Sequence, residues 1–169
     1  GTGQPRNDKV LSPAEAKSLL SGAVVVEEKL DGANLGISLS AVGRLRAQNR
    51  GHYLAEPYSG QFSRLASWLS LHADALCTSL TPNLILFGEW CAAKHSLSYD
   101  RLPDWFLLFD VFDRGQQAFW SSTRRNALAE NVSLICVPQI AHGRFALSHI
   151  ENLLATEPSR YGQGPLEGL

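Results

Sequence analysis

The sequence predicts a mixed α+β domain in which antiparallel strands form meanders and helices lie outside them. Three observations lead there. Short runs rich in Val, Ile and Leu recur, some alternating apolar with polar residues, and Gly, Asp or Pro stands between them. Other segments switch to apolar residues three and four apart, the helical spacing. The 169 residues, 44% apolar and 18% charged, suffice for one sizeable core, with no internal repeat or low-complexity tract.

Taken in order, residues 1–12 are polar and expected to be loose. Pro13 to Leu20 reads as a short helix that Ser12 can cap, with Pro13 in its first turn. These pieces form an N-terminal segment, 1–22, ahead of one domain, 23–169. Ala23 to Leu30 is rich in Val and reads as a buried strand, and Asp31-Gly32 signals a turn or bulge. Asn34 to Ser40 alternates through Leu35, Ile37 and Leu39 and is a second strand. Gly43 allows a turn into a third, Arg44 to Asn49, where Arg44 and Arg46 share a face.

Gln61 to Leu76 carries the best helical pattern, with Phe62, Leu65, Leu69, Ala73 and Leu76 on one side, until Thr81-Pro82-Asn83 breaks it. Leu84 to Trp90 and the nearly unbroken apolar run Trp105 to Phe112 are strands, and Asp113-Arg114-Gly115 turns the chain. Ser122 to Asn131 is a short helix and Ser133 to Ile140 a strand. Ser148 with Glu151 forms a capping box for a helix through Leu154. Glu157 to Leu169 is rich in Gly and Pro.

Composition narrows the function classes. No apolar run approaches the roughly 20 residues that span a membrane, and the first residues lack a signal-peptide pattern. The sequence contains no Met, so its start is expected to be trimmed or extended. Cys77, Cys91 and Cys136 are odd in number and widely spaced, which supports neither a zinc site nor a disulfide framework. They are expected to be small buried hydrophobes in a reducing, cytoplasmic setting. A net charge of −1 means that any nucleic-acid contact needs a local basic patch. Five histidines, His52, His72, His95, His142 and His149, lack metal-ligand spacing; His72 falls on the apolar side of its helix, and His95 has no assignable role. There is no P-loop and no G-x-G-x-x-G, so a glycine-rich loop holds no nucleotide here.

The chemistry concentrates at Lys29, one of only four lysines, in Val-Val-Val-Glu-Glu-Lys-Leu-Asp-Gly-Ala-Asn from Val24 to Asn34. A lysine near the end of a strand is stiffly placed and partly desolvated, and desolvation favours the neutral, nucleophilic amine. Glu28 and Asp31 oppose this, because carboxylates stabilise ammonium; they are therefore expected to face a ligand or metal. K-x-D-G alone is a short motif, equally readable as a salt-bridged lysine in a surface turn.

Further motifs change that balance. Lys29 to Gly32 resembles motif I of the covalent nucleotidyltransferase superfamily, which contains ATP-dependent DNA and RNA ligases and mRNA capping enzymes. Phe87-Gly88-Glu89-Trp90 is similar to motif III, Phe109-Asp110-Val111-Phe112-Asp113 to motif IIIa, and Glu167-Gly168-Leu169 to the start of motif IV. The order and spacing fit from about Val24 to the last residue. The RNA-ligase branch is the closer resemblance, through Asn34 five residues after the lysine and through the stretch Lys94 to Asp100 followed by Leu102-Pro103.

The resemblance implies a ligase-type nucleotidyltransferase, or adenylation, domain that uses ATP and Mg²⁺ or Mn²⁺. Lys29 would take AMP, pass it to a 5′-phosphate RNA end, and the 3′-hydroxyl would seal the nick. It implies that Glu28 reads the adenine amino group, Phe109 stacks on adenine and Glu89 holds the ribose hydroxyls. Without the resemblance, Phe109 reads as ordinary core and Glu89 as a strand-end acid. Asn34 would sit near the phosphates or the metal shell, or else cap a turn. By the same resemblance Arg50 is the choice for the motif Ia arginine, which contacts the nucleotide sugar or the RNA end, with Arg46 as competitor. Glu167 would help bind the metal. Asp31, Gly32 and Asp110 are the remaining motif residues, and Arg44, Arg46 and Arg64 are candidate RNA contacts. The lysine pair of motif V is absent, so the domain is expected to be C-terminally truncated and poorly active alone. A DNA ligase, a GTP-dependent capping enzyme and a non-catalytic nucleotide-binding or interaction module are the alternatives.

Overall fold

A computed structural model describes residues 11–169; the polar stretch 1–10 lies outside the described residues. Helix α1, Pro13–Leu19, starts as expected, because Ser12 and Glu15 form a reciprocal capping box. The strands are β1 (Val24–Glu27), β2 (Ala33–Leu39), β3 (Leu45–Asn49), β4 (His52–Tyr53), β5 (Leu84–Trp90), β6 (Phe106–Asp113), β7 (Ala118–Phe119), β8 (Ile135–Cys136) and β9 (Gln139–Gly143). The other helices are α2 (Leu65–Ser79), α3 (Ser122–Asn131) and α4 (Leu147–Thr156).

The larger sheet has the order β4-β3-β2-β5-β6-β7, every neighbour antiparallel, with β8 added in parallel beside β6. Strand β1 instead pairs antiparallel with β9 in a second, two-stranded sheet. The α+β expectation therefore holds, with antiparallel sheets and flanking helices.

The alternation seen in β2 sets the two faces of the large sheet. Leu35, Ile37 and Leu39 are buried and share one cluster with Leu86 and Trp90 of β5 and with Leu65, Trp68, Leu69 and Leu76 of α2. Gly88 belongs to this face. A Cβ there would stand 2.4 Å from the Phe106 ring and 2.6 Å from the Leu107 carbonyl, so only glycine fits. The opposite face carries Asn34, Gly36 and Ser38, whose cross-strand partners are Glu89, Phe87 and Ile85. A second apolar cluster on the β6 side of this face, Leu30, Cys91, Leu107 and Val137, joins the two sheets.

Several expectations need correction. The single strand Ser133 to Ile140 is two strands. The Val137 N–H donates to Leu108 on the large sheet, whereas the Pro138 carbonyl accepts from Glu28 beside β1. Proline has no N–H to continue the first ladder, and the chain changes sheets there. The strand Ala23 to Leu30 is paired regularly only over Val24–Glu27, with a register shift between Val26 and Glu27. No capping box forms at Ser148, because α4 begins at Leu147 with Ala146 as its cap, which leaves both Ser148 and Glu151 inside the helix. The helix expected from Gln61 is a separate short turn, Gly60–Phe62, followed by α2, which runs on to Ser79.

Only Cys91 among the cysteines is buried; Cys136 is half-buried and Cys77, just past buried Leu76, is exposed. His72 is half-buried: it stacks on Trp68 at 4.1 Å between ring centroids, and its Nε2 lies 3.9 Å from Asp104. Among the described residues no helix is long and apolar enough to cross a membrane.

Gly88→Ala is expected to lower stability by about 1–3 kcal/mol, because the added methyl must displace backbone as well as the Phe106 ring. Chemical denaturation of the variant measures this, and an unchanged midpoint would contradict the packing described.

Candidate active site

Lys29 follows β1, and the alternation of that strand decides where its side chain goes. Glu28 and Leu30 point inward, and Glu28 and Asp31 are each 2% exposed. A buried carboxylate must find donors, and these two find them on opposite sides of Lys29. Glu28 accepts from the Ser159 hydroxyl at 2.6 Å and from the Arg160 N–H at 2.9 Å. Asp31 accepts from the Ser96 hydroxyl at 2.7 Å and the Leu97 N–H at 2.8 Å, and its own N–H donates to the Tyr99 hydroxyl. Both acids are engaged by distant segments of the chain; Asp31 does not line the cleft at Lys29, whereas Glu28 does.

Next, the Gly32 N–H donates to Glu89 Oε1 at 2.9 Å. A Cβ at Gly32 would lie 2.6 Å from the Trp90 carbonyl, so the K-x-D-G glycine is needed for close approach to β5. The Lys29 N–H donates to the Gly168 carbonyl, which brings the last residues alongside the lysine. Its side chain is 48% exposed, and Nζ lies 3.5 Å from Glu167 Oε1.

Lys29 stands in a cleft of about 460 Å³ lined by Glu27, Glu28, Lys29, Leu30, Glu89, Phe109, Asp110, Val137 and Leu169. This volume suits a nucleotide-sized ligand. Phe109 enters the cleft through a bulge in β6: Phe87 pairs with Asp110 and Gly88 with Leu108, which leaves Phe109 without a cross-strand partner. Arg125, 4% exposed on α3, holds this wall. It donates to the Phe109 carbonyl at 2.6 Å and forms a two-point pair with Glu27. Burial pushes the Asp110 carboxyl above its ordinary range, against the opposing pull of Arg125. Burial pushes the Cys91 thiol up to about 12, assisted by Glu89 and Asp31, which makes it an inert core group.

The structure therefore gathers Lys29, Glu28, Glu89, Phe109 and Asp110 around one cleft, with Glu167 at the lysine. Asn34 lies on the same sheet face, across from Glu89, and its carbonyl accepts from the Asn49 side chain at 2.6 Å. The candidate cations do not line the cleft. Arg50 occupies an exposed turn with φ 47°, just where β3 leaves the ladder. Arg44 is exposed ahead of β3, Arg46 lies over the Tyr53 ring, and Arg64 lies over Trp105 beside the start of α2. Among the described residues no three His, Cys, Asp or Glu side chains cluster as a metal site. Glu167 Oε2, however, is buried without a hydrogen-bond partner.

Sequence reasoning missed Glu27, Arg125 and Ser159. Glu27 sits next to a motif residue, but its partner is 98 residues away, and Ser159 is 131 residues from Glu28. Nothing in the local pattern marks either pairing.

This architecture, a strand-end lysine over a cleft between two antiparallel sheets, is that of a ligase-type nucleotidyltransferase domain. The chain belongs to the RNA ligase family, whose model matches residues 22–169. It is similar in fold to solved structures of Naegleria gruberi RNA ligase. One, with pyrophosphate, gives a TM-score of 0.66 at 20% identity over 87% of this chain and 45% of that one. A lysine-to-methionine variant with AMP and Mn gives 0.71 at 18% identity over 92% and 47%. A glutamate-to-alanine variant with ATP and Mn gives 0.68 at 18% identity over 92% and 48%. The chain thus spans slightly less than half the length of these structures. A search of the curated proteins finds no match.

Two predictions follow from the paired anchors. Ser159→Ala removes a buried donor from Glu28 and is expected to cost about 1–3 kcal/mol. Hydrogen exchange from Arg160 to Gly168 is expected to quicken; unchanged protection would contradict the anchor. The second concerns Asp31. Burial alone would raise its carboxyl, but the Leu97 N–H, the Ser96 hydroxyl and the His95 charge together hold it below its ordinary 3.8. A carboxyl lowered on folding adds stability above 3.8 and loses it as pH falls through the folded value. The stability gap between the native chain and Asp31→Asn is therefore expected to narrow as pH is lowered below 3.8, which denaturation at a series of pH values measures.

Proposed function

We propose that this chain is the adenylation part of an ATP-dependent RNA ligase, with Lys29 as the covalent nucleophile. The observation that carries the reading is the position of Lys29, held between two inward-turned carboxylates while its amine opens onto the cleft of Glu89 and Phe109. Family membership supports RNA as the substrate.

In this mechanism the Lys29 amine attacks the α-phosphorus of ATP. An N–P bond forms, the bond to the bridging oxygen breaks, and pyrophosphate leaves with that electron pair. The amine proton goes to solvent. An oxygen of an RNA 5′-phosphate then attacks the AMP phosphorus: a P–O–P anhydride bond forms, the N–P bond breaks, and the lysine nitrogen leaves with that electron pair and takes a proton from solvent. Finally the RNA 3′-hydroxyl attacks the activated 5′-phosphorus, its proton goes to solvent, and AMP leaves with the electron pair of the anhydride bond. Phe109 supplies a stacking face for adenine, and the Arg125 bond to its carbonyl fixes that face. Glu28 has one donor on each oxygen, so a remaining lone pair can accept the adenine amino group. Glu89, whose Oε1 accepts from the Gly32 N–H, lines the cleft and is assigned to the ribose hydroxyls. Asn34, across from Glu89 on the same sheet face, is assigned to the phosphates. Arg50, in its exposed turn, is assigned to the RNA end rather than to the cleft.

A divalent ion, Mg²⁺ or Mn²⁺, fits a site completed by the substrate. Glu167 offers a buried oxygen without a partner beside the lysine, and Mg²⁺ sites often use one carboxylate plus phosphate oxygens and water. When bound, the ion neutralises phosphate charge. A reducing, cytoplasmic setting belongs to the same reading, supported by three free cysteines.

Intact mass after prolonged incubation with ATP and Mg²⁺ is expected to show a minor fraction that has gained one AMP, and Lys29→Ala to show none. GTP is expected to give no adduct. An AMP adduct that persists in Lys29→Ala would overturn the assignment, and a GMP adduct would move the reading to capping. Matched RNA and DNA nicks then separate the RNA ligase from the DNA ligase.

A further inference from the structure

Away from the cleft, the same sheet face continues across β2, β3 and β4 toward an edge with its own chemistry. Cross-strand register puts Phe87, Gly36, Gln48 and Tyr53 in one row and Ser38 with Arg46 in the next. No acidic residue occurs between Asp31 and Glu56, whereas Arg44, Arg46 and Arg50 all fall there. In a chain of net charge −1 this is a local positive field.

Tyr53 is 52% exposed, a large aromatic on an outer strand. Arg46 covers its ring at 4.4 Å from the centroid, and Arg114 donates to its hydroxyl at 3.4 Å. Arg46 Nε is buried with no hydrogen-bond partner, as is the hydroxyl of Ser38, its cross-strand neighbour. Arg46 also donates to the Leu39 carbonyl and Arg114 to the Pro82 carbonyl, which holds both cations at the exposed ring. They match the two contacts a nucleic-acid strand offers, phosphate oxygens for arginine and base faces for tyrosine.

We propose that this β3–β4 edge is a docking surface for a single strand of RNA whose reactive end lies at Lys29. It rests on the ligase reading for the identity of that end. Arg46 and Arg114 take backbone phosphates, and Tyr53 stacks a base on the ring side that Arg46 leaves open. The geometry sets the distance. Gly36, in the row of Tyr53, is two residues from Asn34 on β2, about 7 Å at roughly 3.3 Å per residue, and Tyr53 lies two strands further across, about 10 Å at roughly 4.8 Å per strand. The diagonal is about 12 Å, so at roughly 3.4 Å per stacked nucleotide the strand reaches Tyr53 about three to four nucleotides from the joined end.

The test is fluorescence anisotropy of a 3′-labelled, 5′-phosphorylated RNA of about 12 nucleotides with the whole chain and its variants. Tyr53→Ala is expected to weaken binding about tenfold and Tyr53→Phe to keep it, since the ring and not the hydroxyl stacks. Arg46→Gln is expected to weaken binding and to reduce the slope of log affinity against log salt by about one. Thermal denaturation of each variant reads folding separately. Tyr53→Ala and Arg46→Gln that both bind like the parent, with its salt slope, would overturn the surface, as would a parent that fails to bind at low salt. Tighter, Tyr53-dependent binding of DNA of the same sequence would reassign the surface and overturn the RNA assignment. Adenylylation of Lys29, measured on the same preparations, is independent of both residues. Its absence throughout would strike the ligase reading, while Tyr53-dependent RNA binding would still support the surface.

Discussion

Everything at the candidate site depends on the opposed burial of two carboxylates. Glu28 and Asp31 bracket Lys29, and each is taken out of water only because donors from far along the chain meet it. Bonds to charged groups contribute about 1.5–3 kcal/mol each, and an orphaned buried carboxylate costs more. The segment from Glu28 to Asp31 is therefore fixed at both ends, one tied to Ser159 and Arg160 and the other to Ser96 and Leu97. Strand alternation between those ties sends the lysine outward. Acids that look in the sequence like rivals for the lysine charge serve as its supports.

The same ties assemble the rest of the cleft. Through Glu28 the chain beyond α4 is drawn across β1, which delivers Glu167 and Gly168 to Lys29. Through Gly32, the lysine loop is joined to Glu89 on β5. The bulge in β6 frees Phe109 from the ladder, and Arg125 fixes its carbonyl while neutralising Glu27. The cleft thus rests on backbone and side chains from separate elements, none of them a glycine-rich loop.

Much of this was legible in the sequence. Period-two alternation located β2 and its inward residues, and the helical spacing of α2 located the residues that cover them. Motif order placed Lys29, Glu89 and Phe109 in one site, and the cleft contains all three. The failures share a physical origin. Pro138 sits inside an apolar run, and only the presence of a second sheet explains why the run divides there. Ser148 and Glu151 have capping-box spacing, but the cap is decided by where the backbone turns, one residue before Leu147. Arg44, Arg46 and Arg64 look alike in sequence, yet Arg64 packs on Trp105 near α2 while Arg46 packs on Tyr53 at the sheet edge. Long-range pairings such as Glu28 with Ser159 leave no local pattern at all.

Nuclear magnetic resonance of the chain labelled with ¹⁵N at lysine examines the central claim directly, because only four lysines are present. With ATP and Mg²⁺, one Nζ resonance is predicted to become a phosphoramidate coupled to ³¹P, and Lys29→Ala to abolish it. Lys29 is the amine that the paired anchors present, so coupling at Lys9, Lys17 or Lys94 instead would contradict the account.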